Sequence, residues 1–152
     1  MSVPVTPEPT LPELADVVER FDHVSMAVTS FDSTAPLLRL LGAEYFDGGY
    51  EAGSDFHWIQ YDLPGAGRLE LIRTDSTDPG HFINRFLSER GEGLHHLTFK
   101  VNDLGLAREG AIRAGFDVVG FNDSHPAWKE LFIHPHSASG VLIQFAEFPE
   151  KG

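Results

Sequence analysis

The chain carries its own pattern twice, and each copy begins with a histidine at the head of an alternating strand. The first copy opens FDHVSMAV and the second LHHLTFKV, so His23 and His96 stand 73 residues apart, and the same offset carries Gly42 onto Gly115. A duplicated module that repeats a polar residue inside an apolar strand constrains the fold strongly. The two copies share one core and build one site between them, each supplying half of its groups.

Each copy reads as strand, helix and three strands. In the first, a strand covers His23 to Val28, and a helix follows with Leu37, Leu38, Leu40 and Leu41, Pro36 in its first turn and Gly42 as its left-handed cap. Strands follow at Ala43 to Tyr50, Phe56 to Leu63 and Arg68 to Arg73, the last two joined by the PGAG turn. A connector helix spans about 79–91, with Phe82, Phe86 and Leu87 packed and Gly91 closing it. The second copy repeats the order: a strand at Leu94 to Val101, a helix from Leu104 to Ala114 capped by Gly115, and strands at Phe116 to Phe121, Lys129 to His134 and Val141 to Phe145.

The expected fold class is α+β, two paired βαβββ modules forming a curved mixed sheet around a central cleft. One helix cannot cover both faces of a four-stranded antiparallel sheet, so the modules pair. The domain reading is an N-terminal arm and short helix over 1–20, with helical spacing at Leu11, Leu14, Val17 and Val18, then a single domain over 21–148. Within it, module one takes about 21–75 and module two 93–148.

With 11 basic against 23 acidic residues, a net charge of −12, the chain is not built for nucleic acid or an anionic membrane surface. Arg68, Arg73 and Arg85 read as solvated side chains rather than an anion site. No apolar run is long enough to span a bilayer and no signal peptide is visible, so a cytoplasmic location is expected. Cysteine is absent, which leaves only nitrogen and oxygen ligands for a metal.

The repeat also aligns GRLELI with GVLIQF, placing Glu70 47 residues after His23 and Gln144 48 residues after His96. His23, Glu70, His96 and Gln144 are thus four polar residues at matched places on apolar strands, a donor set for a divalent ion. A carboxylate inside RLELI is costly to bury without a cation or a proton. His95, next to His96, is expected on the opposite face, and Glu147 likewise faces away from Gln144.

The segments FDHVSMAV, GEGLHHLTFKV with its helix ending RAGF, and FIHPHSASGVLIQF resemble the vicinal oxygen chelate superfamily, which includes glyoxalase I, methylmalonyl-CoA epimerases, extradiol dioxygenases and bleomycin resistance proteins. The last two segments look most like the epimerase branch. The resemblance implies a divalent metal (Zn, Co, Ni, Mn or Fe) on His23, Glu70, His96 and Gln144. It also implies an isomerase, epimerase or lyase acting on a small carbonyl or acyl-thioester substrate through an enolate, and a homodimer. Family members usually carry glutamate in the final strand, where this chain has Gln144, so Glu70 and, from the first module, Glu51 are the candidate catalytic carboxylates. The alternatives are an Fe(II) ring-cleaving dioxygenase using His23, His96 and Glu70, and a non-catalytic ligand-binding or resistance protein.

Overall fold

A computed structural model describes residues 14–150. Its elements are β1 (Val18–Ala27), α1 (Ala35–Leu41), β2 (Glu44–Glu51), β3 (Phe56–Asp62), β4 (Arg68–Arg73), α2 (Phe82–Arg90), β5 (Gly93–Val101), α3 (Leu104–Arg113), β6 (Val118–Asn122), β7 (Lys129–Ile133) and β8 (Ile143–Glu147). The βαβββ order occurs twice, with α2 between the copies.

All eight strands join one sheet in the order β2-β3-β4-β1-β5-β8-β7-β6. The modules meet where β1 and β5 pair antiparallel, and the last strand of each module lies parallel to its first, β4 beside β1 and β8 beside β5. Each half is therefore mixed rather than antiparallel throughout, which corrects one premise of the sequence reading. The reason is topological: the three final strands form a meander whose last member folds back against the first strand of its own module.

Alternation along the strands separates the two faces. On the outer face, α1 inserts Leu38 against Val28, Leu69 and Leu71, while α3 packs Leu104 and Ala107 against Val101, Leu131, Ile133 and Phe145. The inner face carries the polar residues and, at one end, α2. Ile83 is the fully buried residue of α2, packed on Ala27 and Ile72. Phe82, Phe86 and Leu87, expected to anchor that helix, are half-buried around it.

Helix ends follow their local chemistry. Gly42 takes φ 69° and closes α1, as expected. In α3, Asp103 caps the first turn by accepting from the Leu106 N–H, and Glu147 accepts from the Leu104 N–H, so Glu147 serves the outer face. The N–H groups of Gly115 and Phe116 are bonded back into the helix, to Ile112 and Ala111. That delays β6 to Val118, two residues after its expected start. Similarly β8 begins at Ile143, beyond the turn in which Gly140 adopts φ 84°.

The short N-terminal helix expected through Val18 falls partly outside the described residues: Leu14 is helical, and a turn closed by the Val17 N–H on the Leu14 carbonyl leads into β1. Residues 1–13 lie outside the described part; Val17 is buried in the module-two core and Val18 already begins β1. Among the described residues no helix is long and apolar enough to cross a membrane.

Candidate metal centre

Strand register alone assembles the site. On the inner face Ser25 of β1 is paired with Glu70 of β4 on one side and His96 of β5 on the other. Likewise Thr98 of β5 is paired with His23 of β1 and Gln144 of β8. Two short rows result, Glu70–Ser25–His96 and His23–Thr98–Gln144, related by the duplication. All six residues are buried, none more than 8% exposed.

The two imidazoles and the carboxylate converge. Nε2 of His23 lies 3.5 Å from Oε2 of Glu70, and Nε2 of His96 lies 3.9 Å from Oε1. These separations are long for hydrogen bonds and close to the roughly 3.0–3.5 Å between neighbouring ligands of one ion. Ligand atoms of all three residues fall within 4.8 Å of one another.

What holds the imidazoles is a pair of β-bulges. Between Phe21 and His23 β1 has one residue more than β5, and between Leu94 and His96 β5 has one more than β1. The extra residues are Asp22 and His95. Asp22 Oδ2 sits 2.8 Å from His23 Nδ1, and His95 Nδ1 sits 2.9 Å from His96 Nδ1. The bulge overturns the expectation that His95 faces away: an inserted residue breaks strict alternation and turns its ring toward its neighbour. With the proton of neutral His23 on Nδ1, facing Asp22, the Nε2 lone pair points at Glu70.

Electrostatics follow from this packing. Burial drives the His96 pKa well down, and neighbouring His95 and His23 push the same way. Burial, then Arg90, lowers His95 to about 4. Burial opposes ionisation of Asp22, but hydrogen bonds and charges from His23 and Arg20 outweigh it and hold the carboxyl below its ordinary value. Two imidazole nitrogens and a carboxyl group thus face one buried point, with burial disfavouring the charged form of His96, a donor set that fits a cation. The buried hydroxyl of Ser25, without a hydrogen-bond partner among the described residues, lies in the same row.

Gln144 reaches the site through a second network. Its Oε1 accepts from Thr98 Oγ1 at 2.6 Å, and its Nε2 donates to Glu130 Oε1 at 3.1 Å. The same Glu130 oxygen accepts from Trp128 Nε1 at 2.7 Å. Burial raises the Glu130 pKa; the two hydrogen bonds oppose the shift, and the charges of Glu51 and Glu70 add to it.

Recurrence does not single out Glu130, because Trp58 holds the corresponding place in module one. The available signal was alternation: Phe132 pairs with Gln144, and Glu130, two residues earlier, shares its face.

Other candidates lie elsewhere. Glu51 is exposed at the end of β2, where its Oε1 accepts from the Gly53 N–H, and is not one of the converging groups. Arg68 pairs with Asp62 and Asp22, and Arg73 with Asp75, so neither offers an open anion site. Asp117, His134 and His136 form an exposed cluster with ligand-like spacing. There, however, His134 Nδ1 accepts from the His136 N–H, which leaves the proton of the neutral ring on Nε2, the nitrogen a metal would need. Two surface hollows of about 250 and 300 Å³, beside Arg73 and between Arg20 and Arg68, contain none of the four aligned residues.

Comparison with known proteins agrees with the architecture. The sequence profile of the Glyoxalase/Bleomycin resistance protein/Dioxygenase superfamily matches residues 22–132. An ethylmalonyl-CoA/methylmalonyl-CoA epimerase of Cereibacter sphaeroides is 28% identical over 137 residues, covering 86% of this chain and 99% of the relative. The crystal structure of methylmalonyl-CoA epimerase from Mycobacterium tuberculosis superposes with a TM-score of 0.77 at 25% identity, covering 90% of this chain and 92% of that one. A hypothetical protein from Bacillus halodurans C-125 gives a TM-score of 0.78 at 24% identity, over 88% of this chain and 96% of its own. With its duplicated βαβββ modules and a profile match over most of its length, the chain belongs to the Glyoxalase/Bleomycin resistance protein/Dioxygenase superfamily.

Proposed function

We propose that this protein is a divalent-metal-dependent epimerase or isomerase that moves the proton on the carbon beside a carbonyl, in a small acyl-thioester or related substrate. The observation that carries the reading is the buried convergence of His23, Glu70 and His96 around one point. Similarity to the Cereibacter epimerase supports the substrate class.

In this reading His23, Glu70, His96 and Gln144 hold the ion. A bound divalent cation would supply Lewis-acid polarisation of a substrate carbonyl, which stabilises the enolate formed when the neighbouring proton leaves. Asp22 fixes the His23 tautomer, His95 faces the corresponding nitrogen of His96, and Thr98 orients the Gln144 amide. Glu70 and Glu51 are the proposed catalytic carboxylates, Glu70 through the ion and Glu51 from the rim. We also propose a homodimer, since Leu37, Leu40 and Leu41 leave α1 with an apolar edge in solvent.

The test is elemental analysis of purified protein followed by incubation with methylmalonyl-CoA or ethylmalonyl-CoA in deuterated water. One equivalent of metal per chain and deuterium at the α carbon are expected, with exchange lost on chelation and restored by metal. No exchange with acyl-CoA, together with oxygen uptake on a catechol after loading with Fe(II), would replace this reading with the oxygenase that two histidines and one carboxylate also suit.

A further inference from the structure

Both oxygens of Glu70 are already directed at other groups. Oε2 accepts from Gln60 Nε2 at 2.7 Å and faces His23, while Oε1 faces His96. Gln144 is an amide and cannot take a proton from carbon. If the proposed proton transfer is right, on which this inference rests, the module-two side of the site lacks an acid–base group among its four aligned residues.

We propose that Glu130 is that group, a catalytic carboxylate facing the substrate from β7. Register places it on the inner face, two residues from Phe132, which pairs with Gln144 and packs against the His96 ring. Its position is fixed without being neutralised. Oε1 accepts from both Trp128 Nε1 and Gln144 Nε2, and Trp128 is itself stacked on Phe148 with ring centroids 4.8 Å apart. Among the described residues Oε2 makes no hydrogen bond and no cation pairs with Glu130, so one oxygen is left for a substrate. Glu51 stands in the other module, at the end of β2. The two proposed carboxylates thus belong to different modules, and two separate acid–base groups are what proton transfer on both faces of one carbon requires.

In one direction the substrate C–H bond breaks and an O–H bond forms on Glu130. The bonding pair becomes the carbon–carbon double bond of the enolate, with the charge passing to the carbonyl oxygen. The carboxylic acid of Glu51 then returns a proton to the opposite face. In the other direction the two exchange roles, and water re-equilibrates their protons between turnovers. No oxidant or further reactant is needed.

Glu130→Gln separates this role from a merely orienting one, because its amide oxygen accepts the same two hydrogen bonds. The experiment compares metal-loaded wild type and E130Q with each epimer of methylmalonyl-CoA in deuterated water, with metal content measured on the same samples. The expected result is unchanged metal content and at least about a 100-fold loss of α-proton exchange from one epimer. Exchange within threefold of wild type for both epimers overturns the proposal while leaving the epimerase reading intact. A wild-type protein that exchanges neither epimer overturns both. Should E130Q not fold, E130D retracts the carboxylate by one methylene; a rate at least tenfold below wild type at equal metal content supports the role, and a wild-type rate overturns it.

Discussion

Asp22 and His95 are counterparts in the duplication, 73 residues apart, and each is the extra residue of a β-bulge set against Nδ1 of the histidine that follows. The backbone device is symmetric and the chemistry is not. An ionised carboxylate backs His23, whereas a neutral imidazole backs His96. A carboxylate partner makes an imidazole the more basic ligand, so the two halves of the centre are held with unequal strength.

Substitutions at these two places should therefore differ in size. Asp22→Asn is expected to weaken metal binding by about 10- to 100-fold, the usual cost of losing such a partner. His95→Phe keeps an aromatic ring against Phe82 and Phe86 but removes the nitrogen, and should cost less than Asp22→Asn. Competition titration against a chromophoric chelator measures both; equal losses would contradict the asymmetry.

Acid should destabilise the metal-free protein earlier than its carboxylates alone would. In the unfolded chain His95 titrates near its ordinary 6.5, and in the fold near 4. Between those values the unfolded state binds more protons, so stability rises with pH through this window and falls as the solution is acidified below about 6.5. The limiting slope is about 1.4 kcal/mol per pH unit for each such histidine, and His96, its pKa also lowered by burial, acts with the same sign. Calorimetric melts of metal-free protein at pH 7.5, 6 and 5 check this; a flat series would show that neither ring stays neutral in the fold.

The two histidine bulges also mark where sequence reading stops. Alternation is enough to put His23, Glu70, His96 and Gln144 on one face, because β1 and β5 keep their period beyond the two histidines, β4 and β8 keep theirs throughout, and the duplication supplies the register. The same assumption misplaces His95, since an inserted residue leaves no trace in a pattern of apolar and polar letters. Val18 to Arg20 fail for another reason: VVER has paired valines beside charges, which reads as helical, and only pairing with Val101 and Lys100 of β5 makes it a strand. Glu130 has no counterpart in module one, where Trp58 stands, so the duplication that marks the other four residues carries no signal for it.

Ser25 and Thr98 are a second matched pair with unequal roles, and stability should register it. Thr98 donates to Gln144, so Thr98→Val, which keeps the shape, leaves a buried amide oxygen short of its partner and should cost about 1–3 kcal/mol. Ser25 has no hydrogen-bond partner to lose among the described residues, so Ser25→Ala should leave the metal-free protein within about 0.5 kcal/mol of wild type. Urea denaturation of the metal-free variants decides; a large loss in S25A would mean that its hydroxyl bonds within the fold.

Glu70→Gln should uncouple stability from binding at the centre itself. The Glu70 carboxyl is buried, with the Gln60 amide as its hydrogen-bond donor and two imidazole nitrogens facing it. Without a cation, such a buried charge is a cost to the fold, and removing a poorly compensated buried charge by a substitution of equal volume is often neutral or stabilising by about 1–4 kcal/mol. Metal-free E70Q should therefore melt at or above the wild-type temperature, while its metal affinity falls by at least about 100-fold, since the only anionic ligand is gone. Melting curves with and without metal measure both arms on one preparation. If metal-free E70Q instead melts well below wild type, Glu70 is held by a protonated histidine and the three groups form a buried ion pair rather than a prepared metal site.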